Sequence, residues 1–168
     1  MRKIINPYLK SPEYRCFGCS PKNESGLQME FFLDGDEVVT IWEPKNHFAG
    51  FENILHGGIR ATLIDEIAAW AIFMELDTMG YTTRLEVKYN EIIYTDRGPL
   101  TIRARVTERT KKTALVSVDI KDKDEKVVTT GEAEYFLIPT PIARKKMNFP
   151  ERREFFEGNP PPVNTEKN

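Results

Sequence analysis

Apolar runs set apart by turn signals divide this chain into two short segments, one long one, and four more short ones. Leu27 to Leu33 and Glu37 to Trp42 read as strands, and Asp34-Gly35-Asp36 between them is a hairpin signal. Pro44 to Asn53 is a loop that contains Gly50. The stretch from His56 to about Leu76 is helical in pattern: it lacks proline, and Gly57 and Gly58 fall in its first turn. Gly80 is expected to close that helix region. Strand-like segments follow at 82–94, 99–109, 113–121 and 126–138, separated by Gly98-Pro99, Lys111-Lys112 and Lys121-Asp122-Lys123-Asp124. Two strands, one helix, then four strands on short connections predict an α+β fold with an antiparallel sheet. Residues 1–25, rich in Pro, Ser, Lys and Asn, read as an irregular arm, and 26–139 as the folded domain. Six of the eleven prolines fall in the last 30 residues, so 140–168 reads as an extended, partly disordered, Pro-rich tail.

A helical wheel sharpens the long segment. Ile59, Leu63, Ile64, Ile67, Trp70 and Met74 gather on one side. Gly58, Ala61, Thr62, Ala68, Ala69 and Ile72 surround Asp65 on the other. Such a helix is buried on both sides. The bulky side fills a sheet, and the small side lets a second subunit or a substrate approach closely. A carboxylate in the middle of that small side needs a partner, a raised pKa or a cleft. It is either a structural Asp paired across an interface or a functional group. Glu66 lies about 100° further round the wheel and is expected nearer the rim.

His56-Gly57-Gly58 places two residues without side chains at a helix N-terminus. Free N–H groups and the positive dipole end there suit an anion or a developing oxyanion. Gly57 and Asp65 stand about 12 Å apart along one helix, so one carbonyl cannot touch both. If both act, they come from different subunits related by a two-fold axis.

Composition narrows the partners. Lys and Arg number 24 against 26 Asp and Glu, a net charge of −2 that leaves no footprint for nucleic acid or an anionic membrane. No apolar run approaches the about 20 residues that span a bilayer, and the first residues lack the apolar core of a signal peptide. A cytoplasmic protein is expected. Cys16 and Cys19, the two cysteines, are not a disulfide framework. With His47 or His56 they have the makings of a zinc site. A packed thiol pair at a subunit edge is the expected reading, with no metal.

The run from Gly50 to Glu66 resembles the hotdog thioesterase superfamily, whose pattern is His-Gly-Gly, a short apolar stretch, then a catalytic Asp or Glu. Within it, the chain is most similar to the branch of phenylacetate-pathway and human mitochondrial-type acyl-CoA thioesterases. Cys16-Phe17-Gly18-Cys19, with Asn23 and Gly26-Leu27, looks like a subgroup of small uncharacterised members. Thr82 to Tyr89 resembles the family's first long strand, so the likeness covers roughly residues 14–138. It implies a hotdog fold, an antiparallel sheet wrapped around one long central helix, and hydrolysis of an acyl- or aryl-CoA thioester by a homodimer or a dimer of dimers, without a cofactor. By position, Gly57 would donate its N–H to the thioester carbonyl, and Asp65 of the partner would be the base or nucleophile. Thr82 would place water or carboxylate, and His56 would orient the loop. Asn53, Gly58, Phe48, Phe51 and Thr83 would contact substrate. Many members carry Asn or Gln where this chain has Gly50, with Asn53 and Asn46 as substitutes. Arg60, Arg84, Lys88, Arg103 and Arg105 are candidates for the CoA phosphates. A hotdog hydratase or dehydratase, and an acyl-CoA binder without turnover, are the alternatives. No Gly-x-Ser-x-Gly elbow supports a Ser-His-Asp route.

Overall fold

The computed structural model describes residues 1–163. Strands β1 (Arg2–Ile4), β2 (Phe31–Asp34) and β3 (Glu37–Trp42) precede a small ribbon of β4 (Ala49–Phe51) and β5 (Ile54–Leu55). Helix α1 (Gly57–Leu76) leads to β6 (Met79–Tyr89), β7 (Leu100–Arg109), β8 (Thr113–Lys121), β9 (Val127–Ile138) and helix α2 (Thr140–Met147). The main sheet has seven strands in the order β1-β2-β3-β7-β8-β9-β6, each antiparallel to its neighbours. The expected α+β architecture, an antiparallel sheet around one long helix, is therefore present.

The bulky side of α1 builds the core. Leu63, Ile64, Ile67, Trp70 and Met74 are buried, with Ile102, Val116, Val118, Ile120 and Ala133 of the sheet among them. The helix comes close to β9 at Gly131, where an added Cβ would lie 2.7 Å from Ile64 Cγ2. Only glycine lets the helix sit that near the strand.

Three boundaries differ from the sequence reading, each for a local reason. Residues 27–33 do not form one strand. Gln28 has φ +56°, which breaks the extended run. Leu27 and Met29 instead donate their N–H groups to the Phe17 and Gly18 carbonyls at 2.7 and 2.9 Å. Gly80 does not close the helix. Asp77 takes the left-handed conformation at φ +48°, and Gly80 lies inside β6, where a Cβ would meet Phe136 O at 2.5 Å. Beyond Tyr89 the chain leaves the sheet, and Ile93 returns to accept the Leu55 N–H at 2.9 Å.

Both ends of the chain also differ. The arm supplies β1 to the main sheet and buries Cys19 and Ser20. In the tail, α2 is helical and Phe149, Phe155 and Phe156 are buried. Phe155 meets Trp70 edge-on at 6.1 Å, and Phe149 meets Phe73 at 5.4 Å. Arg152 donates to Met74 O at 2.7 Å, satisfying a carbonyl at the end of α1. A few aromatic residues thus overcome a Pro-rich, polar composition. Residues 164–168 of the tail lie outside those described.

Candidate active site

The start of α1 is built by its N-cap. His56 Nδ1 accepts the Gly58 N–H at 2.8 Å, so this ring nitrogen carries no proton. The Ile59 and Arg60 N–H groups go to the His56 carbonyl at 3.0 and 3.2 Å. Among the described residues that leaves the Gly57 N–H, at the first helical position, as the orphan donor of the tip. Tyr89 fixes the same glycine by donating to Gly57 O at 3.0 Å. Arg60 lies over the Tyr89 ring at 4.8 Å and anchors the first turn in the sheet, bonding Thr129 Oγ1, Val128 O and Glu91 O.

Two turns on, Asp65 is half-buried, and Thr82 Oγ1 donates to its Oδ1 at 2.7 Å. Tyr135 donates to the Asp65 backbone carbonyl at 3.0 Å. Burial, and then the Asp65 charge, push the Tyr135 phenol above its ordinary range, so it remains a donor. A bulge in β6 aims Thr82. Thr82 pairs with Tyr135 and Arg84 with Glu134, leaving Thr83 as the extra residue. Thr82 and Leu85, three apart, therefore oppose the buried Tyr135 and Ala133, whereas strict alternation would put them on opposite faces. Thr83 turns to Glu134 O at 3.1 Å and is exposed.

The other expected residues divide. His56, Gly57 and Gly58 share the helix tip. Gly50 lies against it, since a Cβ there would stand 2.6 Å from His56 Cδ2. A larger residue would displace the ring, which accounts for glycine at this position. Asn46 is committed to Thr95, accepting from Oγ1 at 3.0 Å. Asn53 is exposed, with φ +55° and its carbonyl on the Thr95 N–H at 2.8 Å. Phe48 is 6% exposed and 5.9 Å from the Trp42 ring, a core position, whereas Phe51 is 76% exposed. The structure does not bring these two rings together. Among the candidate cations, Arg60 is used inside, Arg84 pairs with Glu86 and Glu134, and Arg103 pairs with Asp34 and Glu37.

Glu66 departs most from expectation. It is not at the rim but lies under the arm, 3.5 Å from Cys16 Sγ through either oxygen and 3.1 Å from Trp70 Nε1. Burial, then the neighbouring Cys16, push its carboxyl up to about 7. Tyr89 and Tyr135 are contributors that the sequence reading did not single out, and Arg60 and Glu66 serve other ends than it gave them. The contacts of Tyr89, Tyr135 and Arg60, and that of Glu66 with Cys16, span tens of residues and leave no local spacing to read.

Residues 52–129, from the loop before α1 into β9, match the family model described as the thioesterase superfamily. The matched segment belongs to the thioesterase superfamily. Strands β1–β3 and the aromatic tail lie outside the matched residues. A protein of Saccharolobus solfataricus, provisionally named an esterase, is 29% identical over 112 residues, covering 66% of this chain and 78% of that protein. The crystal structure of AziG from S. sahachiroi is 22% identical, covers 71% of this chain and 98% of that one, and has a TM-score of 0.64. A hypothetical thioesterase protein from Streptococcus pneumoniae, crystallised with coenzyme A, is 23% identical over 66% of this chain and 85% of that one, with a TM-score of 0.61. These likenesses identify the superfamily domain as a hotdog fold. Among the described residues no helix is long and apolar enough to cross a membrane.

Proposed function

We propose that the protein hydrolyses an acyl- or aryl-CoA thioester as a homodimer, each site joining Gly57 of one subunit to Asp65 and Thr82 of the other. The observation that carries this reading is the Asp65–Thr82 hydrogen bond of 2.7 Å, set among small residues on a helix whose capped tip keeps one N–H free. Thr82 occupies one oxygen of the carboxylate and leaves the second able to take a proton from water. That water attacks the thioester carbonyl. The Gly57 N–H stabilises the oxyanion, the C–S bond breaks, and the thiolate of CoA leaves with the acid as co-product. The coenzyme A held by the S. pneumoniae protein supports the substrate class.

Two features support the dimer. Strand β6 is an edge of the main sheet, eleven residues long, and a long edge invites pairing. Gly58, Ala61, Thr62 and Ala69 on the Asp65 side of α1 are not fully covered.

One observation favours a second reading, an acyl-CoA binder without turnover. Gly50 packs on His56 and offers no side chain to hold water. Release of free thiol from a panel of short, long, branched and aryl CoA thioesters separates the two. Hydrolysis that is lost in Asp65→Asn while the dimer persists supports the enzyme. Saturable CoA-thioester binding with no thiol release supports the binder. A stable monomer with full activity overturns the shared site.

A further inference from the structure

We propose that Cys16, Cys19 and Glu66 form a site for one tetrahedral divalent ion, zinc above all, which pins the N-terminal arm to α1. The Cys-x-x-Cys loop is preformed. Its middle peptides are tied down by Leu27 N–H on Phe17 O and Met29 N–H on Gly18 O, at 2.7 and 2.9 Å. Ser20 N–H closes the turn on Cys16 O at 3.2 Å. The thiolate is the form of cysteine that ligates a metal.

Glu66 supplies the third donor from a different element. Both its oxygens stand 3.5 Å from Cys16 Sγ, and the ligand atoms of all three residues lie within 4.8 Å of one another. A tetrahedral ion with Zn–S near 2.3 Å and Zn–O near 2.1 Å sets an S···O edge of about 3.6 Å. The Cys16–Glu66 spacing meets that edge without rearrangement. Space for the carboxylate is reserved, since a Cβ at Gly18 would fall 2.4 Å from Glu66 Cδ. Among the described residues Glu66 has thiol and indole neighbours and forms no pair with Lys, Arg or His. A largely covered carboxylate without a cation is costly, and an ion between it and two thiols removes that cost.

Surrounding groups complete the case. Asn6 Nδ2 donates to Cys19 Sγ at 3.5 Å, and the Tyr14 hydroxyl lies 3.1 Å from the same sulfur. Such outer contacts orient metal ligands. Two sulfurs and one carboxylate oxygen select zinc over magnesium or calcium. Cys19 is 3% exposed and Cys16 is half-buried, so the Cys16 side gives the path inward and the place for a water as fourth ligand. Binding releases one proton from each thiol to solvent. The histidines of the sequence reading have no part: His56 caps α1, and the His47 ring lies tilted against Phe48 at 4.0 Å.

Cobalt(II) is the probe, added to the reduced, chelator-treated full-length chain, with zinc as competitor. We expect one ion per chain, thiolate-to-cobalt charge-transfer absorption, tetrahedral d–d bands, and bleaching of both by zinc. Zinc should also protect both thiols from alkylation. Glu66→Gln keeps its shape and should retain the thiolate bands while weakening binding at least about tenfold. Cys16→Ser with Cys19→Ser should abolish the bands. Wild-type protein that gives no thiolate bands, or whose thiols alkylate equally fast with zinc, overturns the site even if the serine variant fails to fold. Unchanged affinity in Glu66→Gln removes Glu66 from it.

Discussion

Asp65 and Glu66 are consecutive carboxylates on one helix, and they live in opposite surroundings. The first is held by a threonine hydroxyl on the small-residue side of α1. The second is covered by the arm, between a cysteine and a tryptophan. About 100° of helical rotation separates them, and that rotation assigns one to the candidate cleft and the other to the fastening of the N-terminal segment. Residue type alone does not give a carboxylate its role. The neighbours that each face of a helix meets do.

Substitutions on each side sharpen this contrast. Asp65→Asn should lower kcat by about 10²–10⁴-fold, the range for loss of a positioned base, with dimer and Tm unchanged. A near-normal rate in the CoA-thioester assay would break the assignment. On the packing side, Phe155→Ala should cost about 3–5 kcal/mol in urea unfolding, because it empties a buried ring site against Trp70. Turnover per folded molecule should not change. Thr82→Ala should lower kcat about ten- to a hundredfold, the worth of a hydrogen bond to a charged group. Thr82→Ser should restore most of it, since the hydroxyl and not the methyl is used. The smallest effect is expected from Trp70→Phe, which removes the indole donor to Glu66 and costs about 1–2 kcal/mol of stability with no change in kcat.

Much of the frame was legible because it rests on local pattern. The helix expected from His56 to Leu76 runs Gly57–Leu76, and the strands expected at 113–121 and 126–138 run Thr113–Lys121 and Val127–Ile138. By family resemblance Thr82 was expected to place water or carboxylate, and its hydroxyl lies on Asp65. What escaped was long-range. Phe149 and Phe155 sit in a segment whose prolines suggest an open chain, yet they pack on Phe73 and Trp70 of α1. Phe48 looked like a loop aromatic, but the loop folds inward onto Trp42. The wheel gave the angle between Asp65 and Glu66 correctly and misjudged Glu66, because no wheel shows an arm arriving from fifty residues upstream.

The extra residue in β6 has a consequence for how this strand can change over time. Swapping Thr83 for another amino acid leaves the count of residues intact, so such changes should be tolerated. Losing it by a one-codon deletion would restore strict alternation and invert every side chain from Met79 to Thr82 relative to the rest of the strand. The hydroxyl beside Asp65 would then point to the opposite face. Related chains should therefore vary in letter here far more readily than in length.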